Sequence, residues 1–220
     1  MSVMIQVSEL NFSTEEGIKV LEDVHLRVDQ GEMAFLVGPQ AAGKSVLLGL
    51  LAARIRPQSG QLLVCGRNVA RLTRRKAAEF RRRIGFLPQD FTPLPKTVLE
   101  NVTFKLRALG NFREQAEEKA LAALDQVGLT SKLNESGDEL EPVDRVRLGL
   151  AIALCNEPLL LLCDEPFLGL DEEGTEAIAS LLIQLHSHGL TALIATRGPL
   201  PASLSGYRRI SLIDGKVVGG

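Results

Sequence analysis

Phe35-Leu-Val-Gly38-Pro-Gln-Ala-Ala-Gly43-Lys44-Ser45 decides the fold. Met33–Val37 is a short, wholly apolar run ending at Gly38, which is the composition of a buried strand. Lys44–Ala53 follows with a helical pattern. Between them, Gly38 to Ser45 match G-x-x-x-x-G-K-[ST] without deviation. Glycines at those positions let backbone N–H groups close around phosphate oxygens. Lys44 carries a point charge toward the β- and γ-phosphates, and Ser45 offers a hydroxyl to a divalent cation. The positive end of the helix dipole points the same way. Gly38, Pro39, Gln40, Ala41, Ala42, Gly43, Lys44, Ser45 and Val46 are therefore the expected phosphate-binding residues.

A site of this kind needs a second half: an apolar strand ending in a carboxylate. Leu159-Leu-Leu-Leu-Cys163-Asp164-Glu165 provides it. Asp164 is expected to hold Mg²⁺, directly or through water. Glu165, one residue on, points differently and is expected to polarise the attacking water. An ordinary buried strand with solvated acids at its end is the plainer alternative.

Outward from these motifs the chain alternates strand and helix. Residues 3–7 and 24–28 read as strands around a polar turn at Asn11–Gly17, and Gln61–Cys65 as another. Ile84–Leu87, Thr191–Ala195 and Arg209–Ile213 add further strands, with a helix over Glu172–His186. Asp90 to Pro158 is helical in texture. Asn111–Val127 sets Ala116, Ala120, Leu121, Leu124 and Val127 on one face, with Gly128 as its C-cap. Leu148–Leu154 is apolar almost all round, so that helix is expected to be buried. The pattern predicts an α/β nucleotide-binding core interrupted by a helical insert at 90–158.

The 220 residues suit one compact α/β domain. A net charge of −2 and a pI near 6.0 argue against a dedicated nucleic-acid binder. Three cysteines, Cys65, Cys155 and Cys163, form no C-x-x-C pair and read as buried apolar residues. His25, His186 and His188 have no metal-ligand spacing. No apolar stretch approaches the ~20 residues of a spanning helix, and the N-terminus lacks a signal-peptide pattern. A basic run over 71–83 reads as a solvated helix face, with anionic lipid as the alternative.

Together these motifs resemble the ATPase subunits of ABC transporters. Gln89, in Phe86-Leu-Pro-Gln89-Asp90, stands where that family carries its Q-loop glutamine. Leu170-Asp171 follows Asp164-Glu165-Pro166 at the D-loop spacing, and Asn156-Glu-Pro158 and Ile213-Asp-Gly215-Lys also fit. Within the family the chain is similar to the cell-division ATPases of the FtsE type. The stretches that carry this are Gly31-Glu-Met-Ala-Phe-Leu-Val-Gly38, Phe80-Arg-Arg-Arg-Ile-Gly85-Phe and Thr97-Val-Leu-Glu-Asn101-Val.

The resemblance implies a single nucleotide-binding domain over 1–220. Its RecA-like core and antiparallel β subdomain fall at 1–89 and 159–220, and its helical subdomain at 90–158. It implies ATP and Mg²⁺ as cofactors, with Ser45, Gln89 and Asp164 on the metal and Glu165 and Gln89 catalytic. Phe12 is the one aromatic in the early turn available to stack on adenine. A head-to-tail dimer, homomeric or heteromeric, is implied. So is an integral membrane permease-like partner of the FtsX type, touched by Asp90–Leu106. The subunit is expected in the cytoplasm, peripheral on the inner face of the membrane through that partner, with no nucleic acid.

Two family elements are changed. Counting back from Asp164, the signature LSGGQ falls on Leu140-Glu141-Pro142-Val143-Asp144. The serine has become Glu141, and the first glycine is Pro142, which has no N–H to donate. A second negative charge 4 Å from a γ-phosphate costs about 4 kcal/mol at an effective dielectric of 20. The same residues make a good ordinary helix start, with proline at the first position. After the strand Thr191–Ala195 the family's switch histidine is replaced by Arg197, which stays charged and cannot exchange a proton. Arg197 can still donate to a γ-phosphate, like an arginine finger, and is expected with Glu165 and Gln89 among the catalytic residues. The expectation is an ATPase with weak or partner-dependent hydrolysis. The alternative is a hydrolysis-deficient scaffold, or the degenerate half of a heterodimer.

Overall fold

The computed structural model describes residues 2–218. Among the described residues there are two sheets and six α-helices. The first sheet is antiparallel and pairs β1 (Val3–Ser13), β2 (Lys19–Asp29), β4 (Ser59–Val64) and β5 (Arg67–Asn68) in the order β2-β1-β4-β5. The second contains β3 (Met33–Val37), β6 (Ile84–Leu87), β7 (Leu160–Asp164), β8 (Ala192–Thr196), β9 (Arg208–Ile213) and β10 (Lys216–Val218). Its order is β10-β9-β3-β8-β7-β6, parallel except for the β9–β10 hairpin. β7 and β8 are buried at every position, as central parallel strands between packed faces are.

β1 and β2 are much longer than residues 3–7 and 24–28. Their alternation is broken by bulges, with Glu9 and Asp23 at positive φ. Asn11 spends its turn chemistry holding that irregularity: Nδ2 donates to Glu9 O and Oδ1 accepts from the Asp23 N–H, both at 3.0 Å. The true turn is shorter, closed by Thr14 N–H to Ile18 O at 2.9 Å.

α1 (Lys44–Leu51) follows β3 directly, and α2 (Arg74–Arg81) precedes β6. Residues 90–158 hold α3 (Val98–Ala108), α4 (Arg113–Gln126) and α5 (Pro142–Leu154); α6 (Glu172–Ser187) lies between β7 and β8. α3 starts on a capping box: Thr97 accepts from the Glu100 N–H while Glu100 accepts from the Thr97 N–H. Buried Asn101 ties the preceding segment down through Leu94, Lys96 and Thr97. On α4 the apolar face is narrower than expected, because Leu121 is exposed. Gly128 takes its place after α4 at φ 75°.

Two apolar cores result. One lies between the parallel sheet and α3–α6. The other joins the antiparallel sheet, α1 and the opposite face of the parallel sheet. Cys155 and Cys163 are buried and Cys65 is half-buried, all as free thiols. Among the described residues no helix is long and apolar enough to cross a membrane.

Candidate nucleotide site

Four chain segments distant in sequence end side by side. β3, β8, β7 and β6 are adjacent and parallel, so their carboxyl ends open on one edge of the sheet. There the chain leaves β3 into the Gly38–Ser45 loop, β8 into Arg197, β7 into Glu165 and β6 into Pro88-Gln89. Open α/β sheets bind ligands at this edge. A cleft of roughly 600 Å³ lies on it, lined by Gln40 to Val46, Gln89, Glu165 and Arg197.

The loop is built for close approach. A Cβ on Gly38 would sit on the Leu212 carbonyl oxygen, a backbone atom of β9 that cannot swing away. Gly43 has φ +102°, and a Cβ there would meet Leu21 and the Val20 carbonyl. Gly38 and Pro39 stand behind the loop, where their carbonyls accept from Lys44 Nζ at 2.8 and 2.9 Å. Among the described residues no carbonyl or side chain accepts from the N–H groups of Gly43, Lys44, Ser45 or Val46. Four convergent unpaired donors at the start of α1 fit a polyphosphate.

Asp164 closes β7 and is buried. Burial pushes its carboxyl above the usual 3.8, the Ser45 hydroxyl opposes that shift, and Glu165 adds to it. Its Oδ1 is buried without a hydrogen-bond partner. An orphaned carboxylate oxygen beside a serine hydroxyl fits a Mg²⁺ site made of hard oxygen donors. Gln89 stands exposed in the turn after β6, on the same cleft.

Glu165 is the most constrained residue of the site. Its φ of 53° lies in the left-handed region, which costs a non-glycine residue about 1–2 kcal/mol. Its side chain is 6% exposed. Oε1 lies 3.3 Å from Lys44 Nζ and 3.7 Å from Arg197 Nε, and Oε2 accepts from the Arg197 N–H at 3.1 Å. Arg197 Nη1 donates to Gln40 Oε1 at 3.4 Å, tying the same arginine to the phosphate loop. The residue in the switch position therefore reaches the carboxylate expected to polarise water.

Phe12 is a correction. It lies in β1 opposite Leu21, half-buried against the core, and does not line the cleft. The rim is made instead by Ile18, Lys19 and Val20, with Asp214 and Gly215 beside them. Ile18 is 61% exposed. An isoleucine between Gly17 and Lys19, after two glutamates in a polar turn, is the signal for it in the sequence.

The altered loop is folded as an ordinary helix start. Leu140 is buried, Glu141 is the N-cap without a side-chain cap bond, and Pro142 opens α5. Glu141 and Pro142 are exposed. Val143 Cγ2 packs where a Cβ on Gly174 of α6 would fall, 2.6 Å away. Asp144 binds Lys132 Nζ at 2.8 Å.

Comparison with known proteins agrees with this geometry. Residues 21–168 match the ABC transporter family. The chain is 35% identical over 218 residues to the cell division ATP-binding protein FtsE of Escherichia coli K12, covering 99% of this chain and 98% of that one. It is 30% identical to FtsE of Bacillus subtilis, covering 98% and 95%. The dimeric ATP-binding cassette MJ0796 bound to ADP and Pi superimposes with a TM-score of 0.86 at 28% identity, covering 98% of this chain and 97% of that one. CbiO1 of Clostridium perfringens shares the fold, with a TM-score of 0.90 at 24% identity over 100% and 88%. The chain belongs to the ABC transporter family, as an FtsE-like ATPase subunit.

Proposed function

We propose that this ATPase binds Mg-ATP on the Gly38–Val46 loop and hydrolyses it weakly, or only when a partner rearranges the site. The observation that carries this reading is the pairing of Glu165 with Arg197. A general base must reach the water it polarises. Here both carboxylate oxygens are engaged by cations or an N–H of the same chain.

Ser45, Gln89 and Asp164 are the residues that hold Mg²⁺, which when bound neutralises charge on the transferring phosphoryl group. Lys44 and the N–H groups opening α1 bind and orient the phosphates. Ile18 and Val20 replace Phe12 as the apolar rim available to the base. Arg197 either restrains Glu165 or turns to the γ-phosphate, and hydrolysis requires the first arrangement to break.

The chain works as one nucleotide-binding domain, with residues 90–158 as its helical insert. It assembles as a homodimer or with another ABC ATPase subunit. Residues 90–106 meet a permease-like membrane subunit of the FtsX type, which holds the protein at the inner face of the membrane. A hydrolysis-deficient scaffold, or the degenerate half of a heterodimer, is the second reading. The exposed Glu141 and Pro142 favour it, since each removes something the partner's γ-phosphate needs.

ATP turnover of the purified protein, with and without a co-expressed permease-like subunit, decides between them. Stimulation by the partner supports the first reading. Absence of turnover in both preparations, with ATP still bound, supports the second.

A further inference from the structure

The basic run of the sequence is one side of a structural feature. Between residues 67 and 83 the chain carries eight cations and one acid, a local charge of +7 on a protein whose total is −2. All eight cations are exposed. The one acid, Glu79, is engaged by Arg75 at 3.3 Å. α2 buries only Phe80 and turns the rest outward. Beneath this face is a hollow of roughly 350 Å³, into which β5, α2 and the turn before β6 bring Arg67, Lys76 and Arg83, with Glu79 also on its wall, over the apolar floor of Leu72 and Phe80.

The face continues toward the nucleotide edge. Arg81 Nη1 donates to Ala53 O at 2.9 Å. Next to it Arg54 stacks on Phe86, 4.1 Å from the ring centroid, within the fields of both Arg81 and Asp90. Asp90 begins the segment assigned above to the membrane partner. A cationic face contiguous with that segment lies toward the bilayer if the assignment holds. The anionic leaflet attracts such clusters with about 1 kcal/mol per Lys or Arg. The face exposes no aromatic ring on which a base could stack, which disfavours single-stranded nucleic acid.

We infer that Arg67, Lys76 and Arg83 form a binding site for the phosphate headgroup of an anionic phospholipid, with the exposed arginines of α2 spread on the surrounding bilayer surface. This rests on the proposal that the subunit works at a membrane, but it makes a prediction that needs no permease.

Flotation of the full chain with vesicles tests it. The protein should float with phosphatidylcholine vesicles containing phosphatidylglycerol and not with phosphatidylcholine alone. Arg67→Gln, Lys76→Gln and Arg83→Gln together should lower partition roughly 100-fold. Arg107→Gln, Arg113→Gln and Arg209→Gln remove the same charge elsewhere and should leave most of it. Arg71→Gln with Arg74→Gln, both exposed, provides a milder variant and should cost roughly 30-fold. Millimolar glycerol phosphate should not release the protein. Equal loss in the control triple variant, equal binding to both vesicles, no binding to either, or release by glycerol phosphate would each overturn the inference. Calorimetric ATP affinity of the same variants should be unchanged, so failure here is distinct from failure of the nucleotide reading.

Discussion

Arg197 holds Glu165 twice: its backbone N–H donates to Oε2 at 3.1 Å and its Nε lies 3.7 Å from Oε1. Val37 of β3 pairs with Thr196 of β8, and Asp164 of β7 with Ala195 of β8. Arg197 thus emerges between the phosphate loop and the acidic pair. Its position is a consequence of strand order, and its guanidinium makes the contact an ion pair.

Lys44→Ala should weaken Mg-ATP binding by about 1.5–3 kcal/mol, the worth of a charge-assisted bond. The lysine is already positioned by the Gly38 and Pro39 carbonyls, so no rearrangement of the loop offsets its loss. Isothermal calorimetry on both proteins reads the difference. Equal affinities would mean the phosphates lie elsewhere.

Asp164→Asn separates stability from binding. The folded protein raises the Asp164 carboxyl above its ordinary 3.8, chiefly through burial. The stability this group contributes is present below that value and is lost as pH rises through its raised one. At neutral pH the neutral amide should therefore be more stable, by about 1 kcal/mol, or roughly 2–4 °C in Tm. The same change should abolish the magnesium dependence of ATP binding. A lower melting temperature at neutral pH would contradict the reading of Asp164 as a buried charge whose Oδ1 has no partner.

Two glycine substitutions should differ sharply. Gly38→Ala sets a methyl on the Leu212 carbonyl of β9, and backbone cannot yield there. Gly49→Ala meets Ile55 Cδ1 at 2.8 Å, the far end of a side chain that can rotate. Thermal melts should show Gly38→Ala losing about 3 kcal/mol or more and Gly49→Ala about 1 kcal/mol. Similar losses in both would show that the β9 contact does not shape the loop.

Glu165→Gln, which on the proposed role of Glu165 slows hydrolysis and so favours closed dimers, should produce little dimer on size exclusion with Mg-ATP. The exposed Glu141 would face the partner's γ-phosphate in both sites of a homodimer. Glu141→Ser in that background should increase the dimer fraction. Val143→Gly should not help as much, because Val143 also packs over Gly174 and its loss costs stability. An abundant dimer from Glu165→Gln alone would contradict the scaffold reading.

Much of this was legible in the sequence because the decisive residues sit where periodicity changes. The apolar run into Gly38 and the apolar run into Asp164 each mark a strand end at the working edge of the sheet. Pro142 marked the first residue of α5. What the sequence hid depends on pairing across the fold. Nothing local to Thr196-Arg197 says that its guanidinium meets Glu165, because that follows from β8 lying between β3 and β7. Phe12 misled for the same kind of reason. Asn11 looked like a turn residue and is instead the brace of a bulge, so β1 runs on through Phe12 and packs its ring, half-buried, against the core. β10 is three residues long and pairs only with β9, too short a run for alternation to mark it.

Steady-state ATP turnover of Arg197→His and Arg197→Gln against the parent tests the central claim most directly. If the Arg197 guanidinium restrains Glu165, both changes remove it from Oε1, while the backbone N–H of residue 197 and Lys44 keep their contacts with the carboxylate. Turnover should then rise, about tenfold or more for histidine, which can also exchange a proton, and less for glutamine. ATP affinity should change little, because Lys44 and the start of α1 hold the phosphates. If both variants instead turn over ATP more slowly than the parent at equal affinity, Arg197 serves the γ-phosphate and the account of a restrained Glu165 is wrong.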